Sequence, residues 1–170
     1  MSTITKHSIP TGTWSVDPVH SHVAFEVGYA GTNTFRGGFR EFGGAVADGV
    51  LTGSATVASV DVRDEQLNGH LQTPDFFDSL RFPEITFRTS DLERGELTIK
   101  GVTRPVAISA SVSEPNVDPF GRERVGVTLE ATVDRNEFGV SWNAPNQGGG
   151  NYLGDDVKIV ADLSLVKQES

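Results

Sequence analysis

Three groups of side chains have the types and spacing to do chemistry. Asp17, His20 and Ser21 stand close together and supply the acid, base and nucleophile of a hydrolase triad, although a triad also needs placement in space and an oxyanion site. His20 and His22, two apart on an expected strand, would share one face, as a pair of metal ligands can. No third ligand lies nearby in the sequence, and a histidine in a DxxHS run also serves to tie a strand start to a neighbouring loop. Arg104 and Arg135 could receive a phosphate or quinone head, or pair with surface carboxylates. We therefore expect no catalytic set and no metal, and take Asp17, His20, Arg104 and Arg135 as polar groups at the mouth of a binding site.

The elements that would hold such a site belong to one ordinary domain. The chain has 170 residues, enough to bury a single core. Its ten Phe against two Trp and two Tyr put most of the aromatic volume in side chains with no hydrogen-bonding group, which suits a dry interior. The formal net charge of −9 argues against nucleic acid, whose binding rests on clustered Lys and Arg, and against anionic headgroups. With no cysteine, disulfides and thiolate chemistry are excluded. Residues 1–15 lack an apolar run that could act as a signal peptide, and nothing later reaches the length of a membrane span. The expectation is a cytoplasmic protein with a flexible segment over 1–11 and one domain over 12–167.

Most of the chain alternates with period two and is rich in β-branched residues, the signature of half-buried antiparallel strands. Val23, Phe25, Val27 and Tyr29 share one strand face. So do Val125, Val127, Leu129, Ala131 and Val133, and again Val157, Ile159, Ala161, Leu163 and Leu165. Eight or nine strands are expected. Residues 63–83 lack this period and carry helix-start signals, with Thr73 as N-cap and Pro74 at the first helical position, which predicts one or two short helices. Residues 143–154, with three consecutive glycines, predict a mobile loop.

Many strands joined by short turns must sandwich or close, because an open sheet leaves unpaired edges. Closure into a single extended antiparallel β-barrel of about eight strands, lipocalin-like, leaves an interior just wide enough for side chains or one slim ligand. Small residues at Ala24, Gly28, Ala55, Ala107 and Ala110 would leave room there, although which strand face points inward is open at this point.

Five motifs in order carry a resemblance. They are Trp14, Asp17, His20 and Ser21 in a WxxDxxHS run; Gly37 and Phe39; HLQTPDFFD over 70–78 with Phe82 and Pro83 after it; LTIKGVTRPV over 97–106; and Arg135, Glu137, Phe138 and Gly139, followed by Gly154, Asp155, Val157 and Ile159. Together they resemble the YceI-like, polyisoprenoid-binding family over nearly the whole chain. One departure is Tyr29 and Ala30, where many members have a histidine and an apolar residue.

The resemblance implies a barrel that holds an isoprenoid quinone, a polyprenyl chain or a fatty-acid-like molecule in an elongated apolar tunnel, for sequestration or transport and without a cofactor. Dimers are common in the family, so a homodimer is among the expectations. The wall residues expected are Phe25, Val27, Tyr29, Phe35, Phe39, Phe42, Ile85, Phe87, Phe138 and Trp142, with Phe76, Phe77, Leu80 and Phe82 as a flap across the mouth. Two other readings stay open at this point: an enzyme acting on such a lipid, and an interaction module for which the barrel is only scaffold.

Overall fold

Strand formers spaced two apart account for most of the structure, a computed structural model that describes residues 8–145, 147 and 149–168. Part of the expected N-terminal segment, residues 1–7, lies outside the described residues. The strands are β1 (Trp14–Val16), β2 (His22–Tyr29), β3 (Asn33–Phe39), β4 (Phe42–Ala47), β5 (Val50–Thr56), β6 (Val60–Asp61), β7 (Glu84–Asp91), β8 (Arg94–Ile99), β9 (Val102–Ala107), β10 (Ser109–Val112), β11 (Asn116–Val117), β12 (Glu123–Asp134) and β13 (Leu153–Lys167). Among the described residues one α-helix, α1 (Glu65–Leu71), interrupts them.

The thirteen strands of the described residues form one antiparallel sheet, but its pairing is not the expected ring of about eight. The ladder follows an open order, β6-β3-β2-β13-β1-β4-β5-β7-β8-β9, with β12 also on β13 and carrying β10 and β11. The higher count comes from interruptions. The 3-10 turn Val57–Ser59 sets β6, which pairs with β3, apart from β5, which pairs with β4 and β7. A second 3-10 turn, Pro18–His20, is capped by Asp17 and parts β1 from β2, which pair with the long β13 at residues 165–167 and 153–162. Ile108 alone separates β9, which pairs with β8, from β10, which pairs with β12.

The helix also differs from expectation. Its N-cap is Asp64, whose carboxylate accepts from the backbone N–H of Gln66 and Leu67 at 2.9 and 3.1 Å. Thr73 ends the helical segment instead: its Oγ1 donates to the carbonyl of His70 at 2.6 Å, and the residues after it run through turns. The base of the 143–153 segment is zipped by Asn143, which donates to the Leu153 carbonyl and accepts from the Leu153 N–H, both at 2.8 Å.

Two apolar clusters divide the interior. One packs Trp14, Val46, Leu51, Leu92, Val112, Val125, Val127 and Leu165 solidly at the end where β13 finishes and β12 begins. The other, around Val62, Leu71, Phe76, Leu97, Val133 and Phe138, surrounds open space toward the opposite end. Among the described residues no helix is long and apolar enough to cross a membrane.

Candidate functional site

The strands β2, β3, β4, β5, β7, β8, β12 and β13 line a partly open cavity of about 530 Å³. That is within the roughly 300–1,000 Å³ usual for small-molecule sites. Its wall is built by the period-two rule: β2 contributes Val23, Phe25, Val27 and Tyr29, and β13 contributes Val157, Ile159, Ala161 and Leu163. The face that sequence left open is thereby settled, since Leu129, Ala131 and Val133 of β12 also line the cavity. Leu51, Leu129 and Leu163, which belong to the Trp14 cluster, form its deep side.

Phe25, Phe35, Phe39, Phe42, Phe77, Ile85 and Phe87 are only half-buried although they are wall residues. All seven line the cavity, whereas Val46 and Leu165 of the packed cluster are 0 % exposed. Two glycines make the rings fit. A Cβ at Gly37 would fall 2.5 Å from Phe25 Cζ, and one at Gly95 would fall 2.4 Å from Phe87 Cζ, so these rings lie flat over neighbouring strand backbone.

α1 and the following turns meet Trp142 through rings. His70, Phe76 and Trp142 pack with centroids 4.9–5.4 Å apart, and all three are wall residues. The hydroxyls of Tyr29 and Tyr152 hydrogen-bond to each other, and this contact raises the Tyr152 hydroxyl above the usual tyrosine range.

Of the expected wall residues, Val27, Tyr29, Phe76, Phe138 and Trp142 join the seven half-buried ones around the cavity. Leu80 and Phe82 do not. Leu80 stands in solvent at 98 % exposure, and Phe82 lies over Gly101 with the Arg81 guanidinium on its ring. The chain between Asp78 and Pro83 turns outward, with the N–H groups of Arg81 and Phe82 donating to the carbonyl of Asp78, so only the first half of the excursion reaches the interior. Sequence reading missed Leu67, His70, Leu71, Leu97, Val106 and Leu153 as wall residues. The first three follow helical spacing once α1 is recognised.

The four polar candidates separate. Asp17 and His20 lie away from the cavity, in an outer cleft with Arg122 and Gln168. There Asp17 accepts from Arg124 at 2.9 Å and meets His20 Nδ1 at 2.7 Å, and Arg124 continues to Asp118 at 2.7 Å. His20, then Arg124, hold the Asp17 carboxyl down to about 2. Ser21 Oγ accepts from the Ser164 N–H at 2.8 Å, as a strand tie, and His20 sits in the 3-10 turn rather than on a strand face with His22. The triad and the histidine pair are thus not assembled. Among the described residues no group of His, Cys, Asp and Glu could hold a metal ion.

Arg104 is exposed and donates to the Glu137 carbonyl at 3.4 Å. Arg135 is a wall residue and only 6 % exposed. It donates through Nε to the carbonyl of Gly154 at 2.8 Å, and through Nη1 to those of Val140 at 2.7 Å and Trp142 at 2.9 Å. Burial pulls its guanidinium below the usual arginine range.

The sequence matches the model of the YceI-like domain over residues 14–165. The chain belongs to the YceI-like family. Curated relatives include UPF0312 protein SA2479 of Staphylococcus aureus (strain N315), 29 % identical over 164 residues that span 89 % of this chain and 96 % of the relative. Among solved structures, a polyisoprenoid binding domain from Saccharophagus degradans superposes with a TM-score of 0.75 at 12 % identity, covering 91 % of this chain and 98 % of that one. Burkholderia cenocepacia BcnA superposes with a TM-score of 0.71 at 22 % identity, covering 88 % and 98 %. At these identities the solved structures show that the YceI-like fold is shared.

Proposed function

We propose that this YceI-like protein takes up one long apolar chain, of the isoprenoid or fatty kind, and carries or stores it without changing it. The observation that carries the reading is the set of half-buried phenylalanines that line a cavity of about 530 Å³. A folded protein ordinarily packs such rings to crystal-like density, and leaving them around a void forfeits dispersion contacts. A hydrocarbon tail restores those contacts. Each buried methylene contributes about 0.8 kcal/mol, so a tail of about a dozen carbons gains roughly 10 kcal/mol before the cost of association. The Saccharophagus degradans relative, described as a polyisoprenoid binding domain, supports the same ligand class. Solvation is the whole mechanism, and the acid–base pair Asp17–His20 is held in an ion network outside the cavity.

Native mass spectrometry of the purified protein, followed by organic extraction, tests the proposal. A copurifying isoprenoid or fatty molecule, or stoichiometric uptake of one added from solution, is the expected result. A protein that neither retains nor takes up any such molecule overturns it.

A further inference from the structure

We infer that the cargo is an amphiphile whose oxygen-bearing, preferably anionic head is taken inside to Arg135, with its tail pointing toward Leu51, Leu129 and Leu163. This rests on the carrier reading and adds the class of head group and the direction in which the molecule lies.

Two buried side-chain atoms of the described residues have no hydrogen-bond partner, Gln72 Oε1 and Arg135 Nη2. Only Arg135 belongs to the cavity wall. Its other guanidinium nitrogens are spoken for by three backbone carbonyls, which fix the plane of the group and leave Nη2 as the remaining donor. A buried guanidinium with an unmatched nitrogen is costly unless an acceptor completes it.

No carboxylate of the described residues does so. Arg135 has no ion pair among the described residues, and the acids whose fields reach it, Asp134 and Asp155, both accept instead from Asn136 Nδ2 at 2.9 Å. Nη2 is itself covered, so an acceptor reaching it from the cavity that Arg135 borders must displace a neighbouring wall side chain, and an anionic oxygen gives the stronger, charge-assisted bond.

The position fits one direction only. Arg135 directly follows β12, at the end where Asp134 pairs with Asp156, whereas the deep wall at Leu163 and Leu129 leads to the packed Trp14 cluster. A head at Arg135 therefore lays its tail along β12 and β13 toward that cluster.

The test compares heads on one tail. Palmitate, 1-hexadecanol and hexadecylamine share a sixteen-carbon skeleton, and the net charge of −9 would favour the amine if the head stayed in solvent. The inference predicts the opposite order. Palmitate should bind more tightly than hexadecylamine by roughly ten- to a hundredfold, the worth of one hydrogen bond to a charged group. In the unaltered protein, the carboxyl carbon of bound [1-13C]palmitate should be shielded from a soluble gadolinium chelate as well as its terminal methyl is. Arg135→Gln, checked for folding by circular dichroism, should bring the three affinities together. Equal binding of acid and amine, or a carboxyl carbon as open to the chelate as in free palmitate, overturns the inference and leaves the carrier reading standing. If none of the three binds and no isoprenoid is taken up, the carrier reading falls and this inference with it.

Discussion

The ring of Phe25 lies across Gly37, its partner on the adjacent strand, so closely that a Cβ there would sit 2.5 Å from Cζ and a methyl of Val62 3.0 Å away on another side. The ring can yield only toward the cavity or against Phe35 and Phe39, whose centroids are 6.2 and 5.9 Å away. Gly37→Val should therefore push Phe25 into the cavity. The fold should lose about 1–3 kcal/mol, the usual cost of overpacking. Lipid uptake should fall by roughly tenfold or more, since each displaced methylene is worth about 0.8 kcal/mol. Urea unfolding and uptake measured on the same preparation separate the two effects.

Ala161 is a half-buried wall residue between Val23 of β2 and Leu129 of β12. Ala161→Phe should fill the volume a tail would occupy. A protein that folds with near-normal circular dichroism, yet yields no extractable lipid, is the expected outcome; undiminished lipid content would mean that cargo lies elsewhere.

Acid should loosen the outer ion network before it reaches the cavity. Asp17 is held down to about 2 by His20 and Arg124, and Asp118 is held lower still, chiefly by Arg124. A carboxylate depressed in the folded state stabilises it fully above the ordinary carboxylate range, near pH 4, and loses that contribution as pH falls toward the folded value. Melting temperature should accordingly drop between about pH 4 and pH 2. Asp17→Asn should flatten the drop, and an unchanged slope in that variant would remove Asp17 from the account.

Leu80 and Phe76 make a contrasting pair four residues apart. Leu80 is 98 % exposed, so Leu80→Ser should change stability by no more than about 0.5 kcal/mol and leave lipid content unaltered. Phe76 is 5 % exposed and packs on His70 and Trp142; Phe76→Ser should cost roughly 3–5 kcal/mol and reduce retention of cargo. Thermal melts and lipid extraction check both.

Alternation made the strands and the wall aromatics legible before any coordinates. Phe25, Phe35, Phe39, Phe42, Ile85 and Phe87 all line the cavity because a strand face, once inward, stays inward every second residue. The excursion was harder to read. Thr73 and Pro74 carry helix-start chemistry, but local preference yielded to Asp64, which sits beside a run able to place Leu67, His70 and Leu71 on one side. Leu80 and Phe82 were grouped with Phe76 by composition, and no periodicity distinguishes a ring that turns in from one that turns out. The strand count rose because Val57–Ser59 and Ile108 break stretches whose period-two alternation runs on without a turn signal. Arg135 and Arg104 look alike in sequence; a strand end beside Gly154 separates a buried guanidinium from an exposed one, and that requires the fold.

The solid packing of Trp14, Val46 and Leu165 turns the interior into a blind pocket instead of a through-passage. A pocket with a floor works as a gauge: short tails leave unfilled depth, and tails beyond its depth must fold back or protrude. Selection among cargoes would then follow carbon count as well as chemical kind, and shaving the floor at Leu51 or Leu163 would lengthen the preferred cargo.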